Sequence, residues 1–289
     1  MASVRRRTCA LVAFAVASMA LVACGAAPGA RPGRRPSSAV ANRLADLASV
    51  TGPTGPRTVA LTFDDGPNPA STPQILDILD RFGVKATFFV VGRNVAQYPD
   101  LAREIVRRGH SIANHTWDHA NLTRVSGPQI DAQIQRTDDV IVRTTGRRPT
   151  CVRPPYGALN RTVANRIAAS DHLPVLWTVD PTDWKRPGAG AIVDRILRAS
   201  RPDGIVLMHD GGGDRCQTVA ALPSVIQGLR DAGYDFAATC IPVDLTAPPT
   251  TAPTTAPPTT AAPAPVPTDP PTTVPTPSTT SSTTTTTAA

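Results

Sequence analysis

Apolar positions along the chain fall into short continuous runs, separated by stretches in which they recur every three or four residues. That alternation predicts strands interleaved with amphipathic helices. Thr58 to Phe63 is a β-rich run that stops at Asp64-Asp65-Gly66-Pro67. Ser71-Thr72-Pro73 then offers an N-cap with proline in the first helical turn; Ile75, Leu76, Ile78, Leu79 and Phe82 mark one face, and Gly83 ends it. The same reading gives strands at 86–91, 111–113, 150–153, 174–179, 204–208 and 234–239, and helices at 101–108, 129–145, 161–169, 191–199 and 218–230. Seven strands alternating with helices predict an α/β domain with a parallel sheet, and suit a distorted seven-stranded (β/α) barrel better than a full eight-fold one.

The pattern stops on both sides of residues 58–246. Residues 247–289 hold 17 Thr and 12 Pro with one charge, Asp269. Such a stretch buries too little to offset chain entropy, which predicts a disordered, extended, stalk-like Thr/Pro-rich tail. At the other end, Arg5-Arg6-Arg7 precede an apolar run from Ala10 to Ala23 that is too short to span a bilayer comfortably. Basic residues followed by a short apolar run are the signature of a secretory signal peptide. The run closes on Leu21-Val22-Ala23-Cys24, which resembles the bacterial lipobox. That resemblance implies a signal peptide at 1–23, lipidation of Cys24, a flexible linker at 24–57, and an exported protein anchored in the outer face of a cell membrane. Ordinary cleavage after a small residue, giving a secreted protein, is the other reading.

Net charge is +7, yet eight Arg against one Asp in residues 1–57 account for it, while 58–246 carries 21 basic and 20 acidic residues. With no basic face in the folded part, a nucleic-acid partner is not expected. Of five cysteines, Cys9 leaves with the signal and Cys24 carries the lipid, so Cys151, Cys216 and Cys240 remain. Three thiols permit one disulfide. Cys216 and Cys240 flank the last helix and are the expected pair, a closure worth about 3 kcal/mol, with Cys151 a packed thiol. None has zinc-thiolate spacing.

Chemically capable residues gather where the strands end: Asp64-Asp65, His115, Arg153, Asp180 and His209. In α/β folds that rim is the active face. His115-Thr116-Trp117-Asp118-His119 places two imidazoles at i and i+4, within reach of one ion if the segment is a helical turn. Asp65 offers a third ligand, and two imidazoles with one carboxylate and an open position describe a catalytic metal site better than a structural one. Neighbouring strand residues point to opposite faces, so Asp64 and Asp65 serve one site only where Gly66-Pro67 break the strand. One carboxylate then binds metal and the other accepts a proton, with His209 a candidate general acid opposite. His110 and His172 are read as structural or surface residues.

Five segments together carry a family resemblance: Thr62-Phe63-Asp64-Asp65-Gly66-Pro67, His115-Thr116-Trp117-Asp118-His119, Arg153-Pro154-Pro155-Tyr156-Gly157, Asp180-Pro181-Thr182-Asp183-Trp184 and Ile205-Val206-Leu207-Met208-His209. In order, they resemble the motifs of the polysaccharide deacetylases of carbohydrate esterase family 4. The resemblance covers residues 58–240 and implies a distorted seven-stranded (β/α) barrel that removes N-acetyl groups from GlcNAc residues of a polysaccharide. Asp64 is then the general base, and Asp65, His115 and His119 are ligands of a divalent metal, most commonly Zn2+. The Tyr156 backbone N–H faces the oxyanion, Arg153 orients Asp64 and is held by Asp180, and His209 protonates the leaving amine. Leu207 lines the acetyl pocket, and Trp184, Pro154 and Pro155 contact the sugar. Because the chain is expected to be exported, peptidoglycan is the first substrate to consider. Chitin oligomers, MurNAc glycan and acetyl-xylan come next, and a non-catalytic surface carbohydrate-binding module is the reading from another class. A monomer is the default.

Overall fold

The structure, a computed structural model, describes residues 57–245. The expectations for the leader, Cys24, the linker as far as residue 56 and the tail from 247 onward lie outside the described residues. Strand β1 (Thr58–Asp64) is buried along its whole length. It runs parallel to β2 (Thr87–Val90) on one side and to β7 (Gly204–His209) on the other. Beyond β2 follow β3 (Ser111–Asn114), β5 (Cys151–Val152) and β6 (Leu173–Pro174), all parallel. The short β8 (Asp235–Phe236) pairs with the first two residues of β1 and completes seven strands. A separate two-residue ladder joins β4 (Arg147–Arg148) to β9 (Val243–Asp244).

The ring closes through one segment. At its start, Leu173 N–H donates to Thr150 C=O and Val175 N–H to Val152 C=O; at its end, Thr178 N–H donates to Ile205 C=O and Leu207 N–H to Val179 C=O. Residues 173–179 thus bond β5 below and β7 above, joining the two edges of the curled sheet. This is the distorted (β/α) barrel expected from the sequence. The strand foreseen at 174–179 is split, with regular pairing at β6 and a lone bridge between Val179 and Val206.

Helices cover the outside: α1 (Thr72–Arg81), α2 (Gly92–Gln97), α3 (Pro99–Arg107), α4 (Gly127–Thr145), α5 (Arg161–Ala169), α6 (Ala189–Ala199) and α7 (Cys216–Asp231). The two-turn α2 has too few residues to show a helical period and was not foreseen. Ser71 stands at the start of α1, but its hydroxyl donates to Asp210 C=O at 2.6 Å and does not cap the helix. In α4, Gln129 Oε1 accepts from Ser126 N–H at 2.8 Å, and Gly146 at φ 70° ends the helix.

Period-two alternation sorts the strand residues between two cores. Val59, Leu61 and Phe63 of β1, with Val206 and Met208 of β7, face the helices, whereas Ala60 and Ile205 face the barrel interior beside Phe89, Ala113, Cys151 and Val175. Extending the interior parity to the strand ends delivers Asp64, His115, Arg153 and His209 to the barrel mouth.

The expected Cys216–Cys240 disulfide is not formed; the bond joins Cys151 to Cys240, with Cα atoms 5.6 Å apart, and Cys216 is an exposed free thiol. The reason is geometric. Cys216 begins α7, whose 16 residues rise about 24 Å, so residues flanking that helix in sequence lie at opposite ends of the barrel. Cys240 follows β8 back to the interior cluster, where Cys151 already sits.

Candidate active site and metal centre

Each strand end contributes by a different local device. Asp64 closes β1 in register with His209 of β7, so these two are cross-strand neighbours. Asp65 would point away if the strand continued, but it adopts φ 72°, and this left-handed turn swings its carboxylate to the side Asp64 occupies. The break expected at Gly66-Pro67 therefore begins one residue earlier. Opposite, Gly211 and Gly212 press on Asp65: a Cβ on Gly211 would lie 2.0 Å from the Asp65 carbonyl oxygen, and one on Gly212, at φ 69°, 2.4 Å from Oδ2. Only glycine fits there.

His115 and His119 meet, but not on a helix. The segment is an irregular loop with Thr116 at φ 68° and His119 at φ 64°, and these two turns bring the rings together in place of the expected helical turn. Asp65 Oδ1 lies 3.4 Å from His115 Nε2 and 3.2 Å from His119 Nε2. One ligand atom from each of the three residues falls within 4.8 Å of the others.

The protons decide what fits between them. His115 Nδ1 sits 2.7 Å from Arg153 C=O; a carbonyl only accepts, so Nδ1 carries the hydrogen and Nε2 presents its lone pair. His119 Nδ1 meets the Tyr156 hydroxyl at 3.1 Å, again leaving Nε2 toward the carboxylate. Asp65 Oδ1 is buried and, among the described residues, lacks a hydrogen-bond partner. Burial works to raise the Asp65 carboxyl, but the two imidazoles outweigh it and hold it far below the usual carboxylate range. Burial likewise works to lower His115, and Asp64 and Asp65 reverse it. The cluster thus demands positive charge at one point, and a divalent ion satisfies that with both imidazoles neutral.

Arg153 is fully buried. Its Nη1 donates to Asp64 Oδ1 at 2.7 Å and Thr62 Oγ1 at 2.8 Å, its Nη2 to Leu176 C=O at 3.1 Å, and its guanidinium stacks over Phe89 at 3.9 Å. With Oδ1 so engaged, Asp64 keeps Oδ2, 3.7 Å from His115 Nε2, free toward the metal cluster. Asp180 takes no part in this. It is exposed, and its carboxylate accepts from Thr182 N–H instead of holding Arg153. The residue that matters in that motif is Asp183, which the sequence reading passed over. It is buried, with Oδ1 2.7 Å from His209 Nδ1, while Oδ2 accepts from His209 N–H at 2.9 Å and Thr218 Oγ1 at 2.7 Å. Burial works to raise Asp183, but these bonds hold it below the usual range, and Asp183 in turn lifts His209 above the ordinary histidine value against burial. The one sequence signal was the second aspartate of Asp180-Pro181-Thr182-Asp183.

An open cleft of about 470 Å³ joins these groups, and Tyr156, Trp177, Trp184 and Leu207 form its apolar walls. Tyr156 sits at φ 62° in the short turn Pro155–Gly157 and is 69 % exposed, and Trp184 is 50 % exposed. Trp177 and Arg215 also line the cleft and were not foreseen. Pro154 and Pro155, expected at the sugar, are buried and do not line it; their rings are consumed in shaping the turn that presents Tyr156. His110 and His172 are both buried away from the cleft, and burial brings His110 down to about 4.

The family model for polysaccharide deacetylase matches residues 51–175. The chitooligosaccharide deacetylase of Rhizobium leguminosarum bv. trifolii is 42 % identical over 189 residues, spanning 62 % of this chain and 88 % of that protein. The chain belongs to the polysaccharide deacetylase family. A second relative of this deacetylase domain, the peptidoglycan-N-acetylglucosamine deacetylase PgdA of Listeria monocytogenes, is 42 % identical over 179 residues; the chain spans 37 % of that longer protein. Among solved structures, the Bc1960 peptidoglycan N-acetylglucosamine deacetylase superposes with TM-score 0.63 at 37 % identity, covering 65 % of this chain and 88 % of that one. Polysaccharide deacetylases of this type are metal-dependent hydrolases, and the Asp65, His115 and His119 cluster fits that requirement.

Proposed function

We propose that the chain is an exported, zinc-dependent N-deacetylase acting on GlcNAc residues of a cell-envelope polysaccharide, peptidoglycan first. The observation that carries this reading is the juxtaposition of a freed Asp64 Oδ2, a three-ligand cluster and an Asp183-tethered His209 in one open cleft. Zn2+ held by Asp65, His115 and His119 would supply a Lewis acid for the acetyl carbonyl and lower the pKa of attacking water.

The chain's own groups complete the chemistry. Asp64 takes the proton of the attacking water at Oδ2, while Arg153 fixes the carboxylate from behind. The Tyr156 N–H donates to the oxyanion as the carbonyl becomes tetrahedral. His209, held at Nδ1 by Asp183, delivers the Nε2 proton to the departing amine, and Leu207 packs the acetyl methyl. The products are acetate and a sugar with a free amine. An open cleft walled by exposed Tyr156 and Trp184 suits a polymer lying across the barrel mouth. Arg5-Arg6-Arg7, the apolar run and Leu21-Val22-Ala23-Cys24 support export with a lipid anchor at Cys24, and the Thr/Pro tail suits a monomer working within the envelope.

The chitooligosaccharide deacetylase relative favours chitin oligomers as the second substrate. Acetate release from purified peptidoglycan, chitin oligomers and acetylated xylan, each with and without chelator, tests the proposal. Chelator-sensitive release, fastest from peptidoglycan, is expected. Glycan binding with no acetate from any polymer in excess zinc would leave a carbohydrate-binding module instead.

A further inference from the structure

The three members of the metal cluster are not held equally. Asp65 leaves a central strand and is pinned by the glycine loop. His115 directly follows β3, is 2 % exposed, and is tied to the Arg153 carbonyl. His119 ends an irregular loop in a left-handed conformation, its side chain 29 % exposed. Two things fix it: the Tyr156 hydroxyl on its ring, and whatever holds the backbone just before it.

That backbone is held from two sides: the Thr116 and Trp117 carbonyls accept from Gly92 and Arg93 N–H of α2, each at 2.9 Å, and the following N–H groups are held by α4. Gln133 Oε1 accepts from Trp117 N–H at 2.8 Å and from Asp118 N–H at 3.3 Å, and its Nε2 donates to Asp118 Oδ1 at 2.7 Å. One amide side chain thereby grips two consecutive peptide groups and the side chain of the residue before His119. Its own orientation is fixed by the pattern, because only the oxygen can accept the N–H groups and only the nitrogen can donate to the carboxylate. The α2 contacts engage only carbonyls, and among the described residues the Trp117 and Asp118 N–H groups have Gln133 Oε1 as their acceptor.

Resting on the metal-site reading above, we infer that Gln133 is a positioning residue that sets the affinity of the site for its metal through His119. It touches neither substrate nor reacting atoms. Partners behind metal ligands typically contribute 10- to 100-fold in affinity, and the least anchored of three ligands is where such support is felt most.

The test is zinc affinity of the full chain, measured by competition with a chromophoric chelator and set beside the thermal midpoint of the metal-free protein. Gln133→Ala is expected to weaken Zn2+ binding at least tenfold. Gln133→Glu keeps the two acceptor bonds but sets a carboxylate against Asp118, and is expected to weaken it too. Adding Asp118→Asn restores the donor–acceptor pair in reversed sense and is expected to recover affinity toward wild type. A merely structural residue would move the midpoint and leave the affinity alone. Unchanged affinity in Gln133→Ala overturns the inference; should that variant fail to fold, a double variant binding no more tightly than Gln133→Glu overturns it. Failure of the wild-type chain to bind zinc would sink the metal-site reading itself, a result distinguishable from either.

Discussion

Arg153 Nη1 and Asp64 Oδ1 meet at 2.7 Å inside the barrel, both side chains buried. The pairing commits one carboxylate oxygen to structure and leaves the other for proton transfer. Losing the charge of Asp64 should therefore remove turnover while the three metal ligands stay in place. Asp64→Asn is expected to lower acetate release about 10²- to 10⁴-fold, with zinc still binding by calorimetry. Wild-type rates in this variant would show that the base is elsewhere. Arg153→Ala, which strands a buried carboxylate, should cost about 3–5 kcal/mol of stability in chemical denaturation.

Asp183 controls His209. Because Asp183 holds His209 above the ordinary histidine value, the imidazole remains protonated to higher pH than a free histidine, and a general acid works only while protonated. Rate should fall as pH rises through the folded value. Asp183→Asn removes the counter-charge, lowers that value, and is expected to move the basic limb of kcat/KM to lower pH. An unmoved limb would mean that His209 is not the acid.

The glycine loop gives a steric prediction. Gly212→Ala places a methyl 2.4 Å from Asp65 Oδ2 at a φ that alanine avoids, so zinc affinity should fall about tenfold or more. Gly190→Ala, within α6 with nothing inside 4 Å of the added atom, is the matched control and should stabilise by up to about 1 kcal/mol. Equal zinc binding in both would remove the loop from the metal site.

The Cys151–Cys240 bond closes a loop with sequence separation 89. Constraint of the unfolded chain on that scale is worth about 4–5 kcal/mol. Cys151→Ala with Cys240→Ala is expected to lose most of that in urea titrations, and reductant should destabilise the wild type but not the double variant. Cys216→Ala should change neither.

The barrel class and the rim of polar residues were legible because both rest on the pattern inside the strands: what is apolar there fixes which way the residue at the strand's end points. Asp64, His115, Arg153 and His209 follow from that rule. What escaped lies beyond the strand ends, where parity lapses. Asp180 and Asp183 stand three residues apart after Val179, and the left-handed Thr182, at φ 53°, decides which of them turns inward. The His115–His119 loop likewise depends on two positive φ values that no apolar pattern encodes. The Cys151–Cys240 disulfide is not legible from spacing, because residues near one helix in sequence need not be near each other in space.

The interior parity of β1 and β7 has a further consequence. A slip of one residue between these strands would reverse one of them relative to the other, turning Asp64 toward the helices and Leu61 into the barrel if β1 moves, or His209 and Met208 likewise if β7 moves, so mispaired chains lose their chemistry and their packing together. Greasy side chains far from the acetyl group act as proofreaders of the active centre, and a molecule able to turn over substrate is by that fact one whose central strands are correctly aligned.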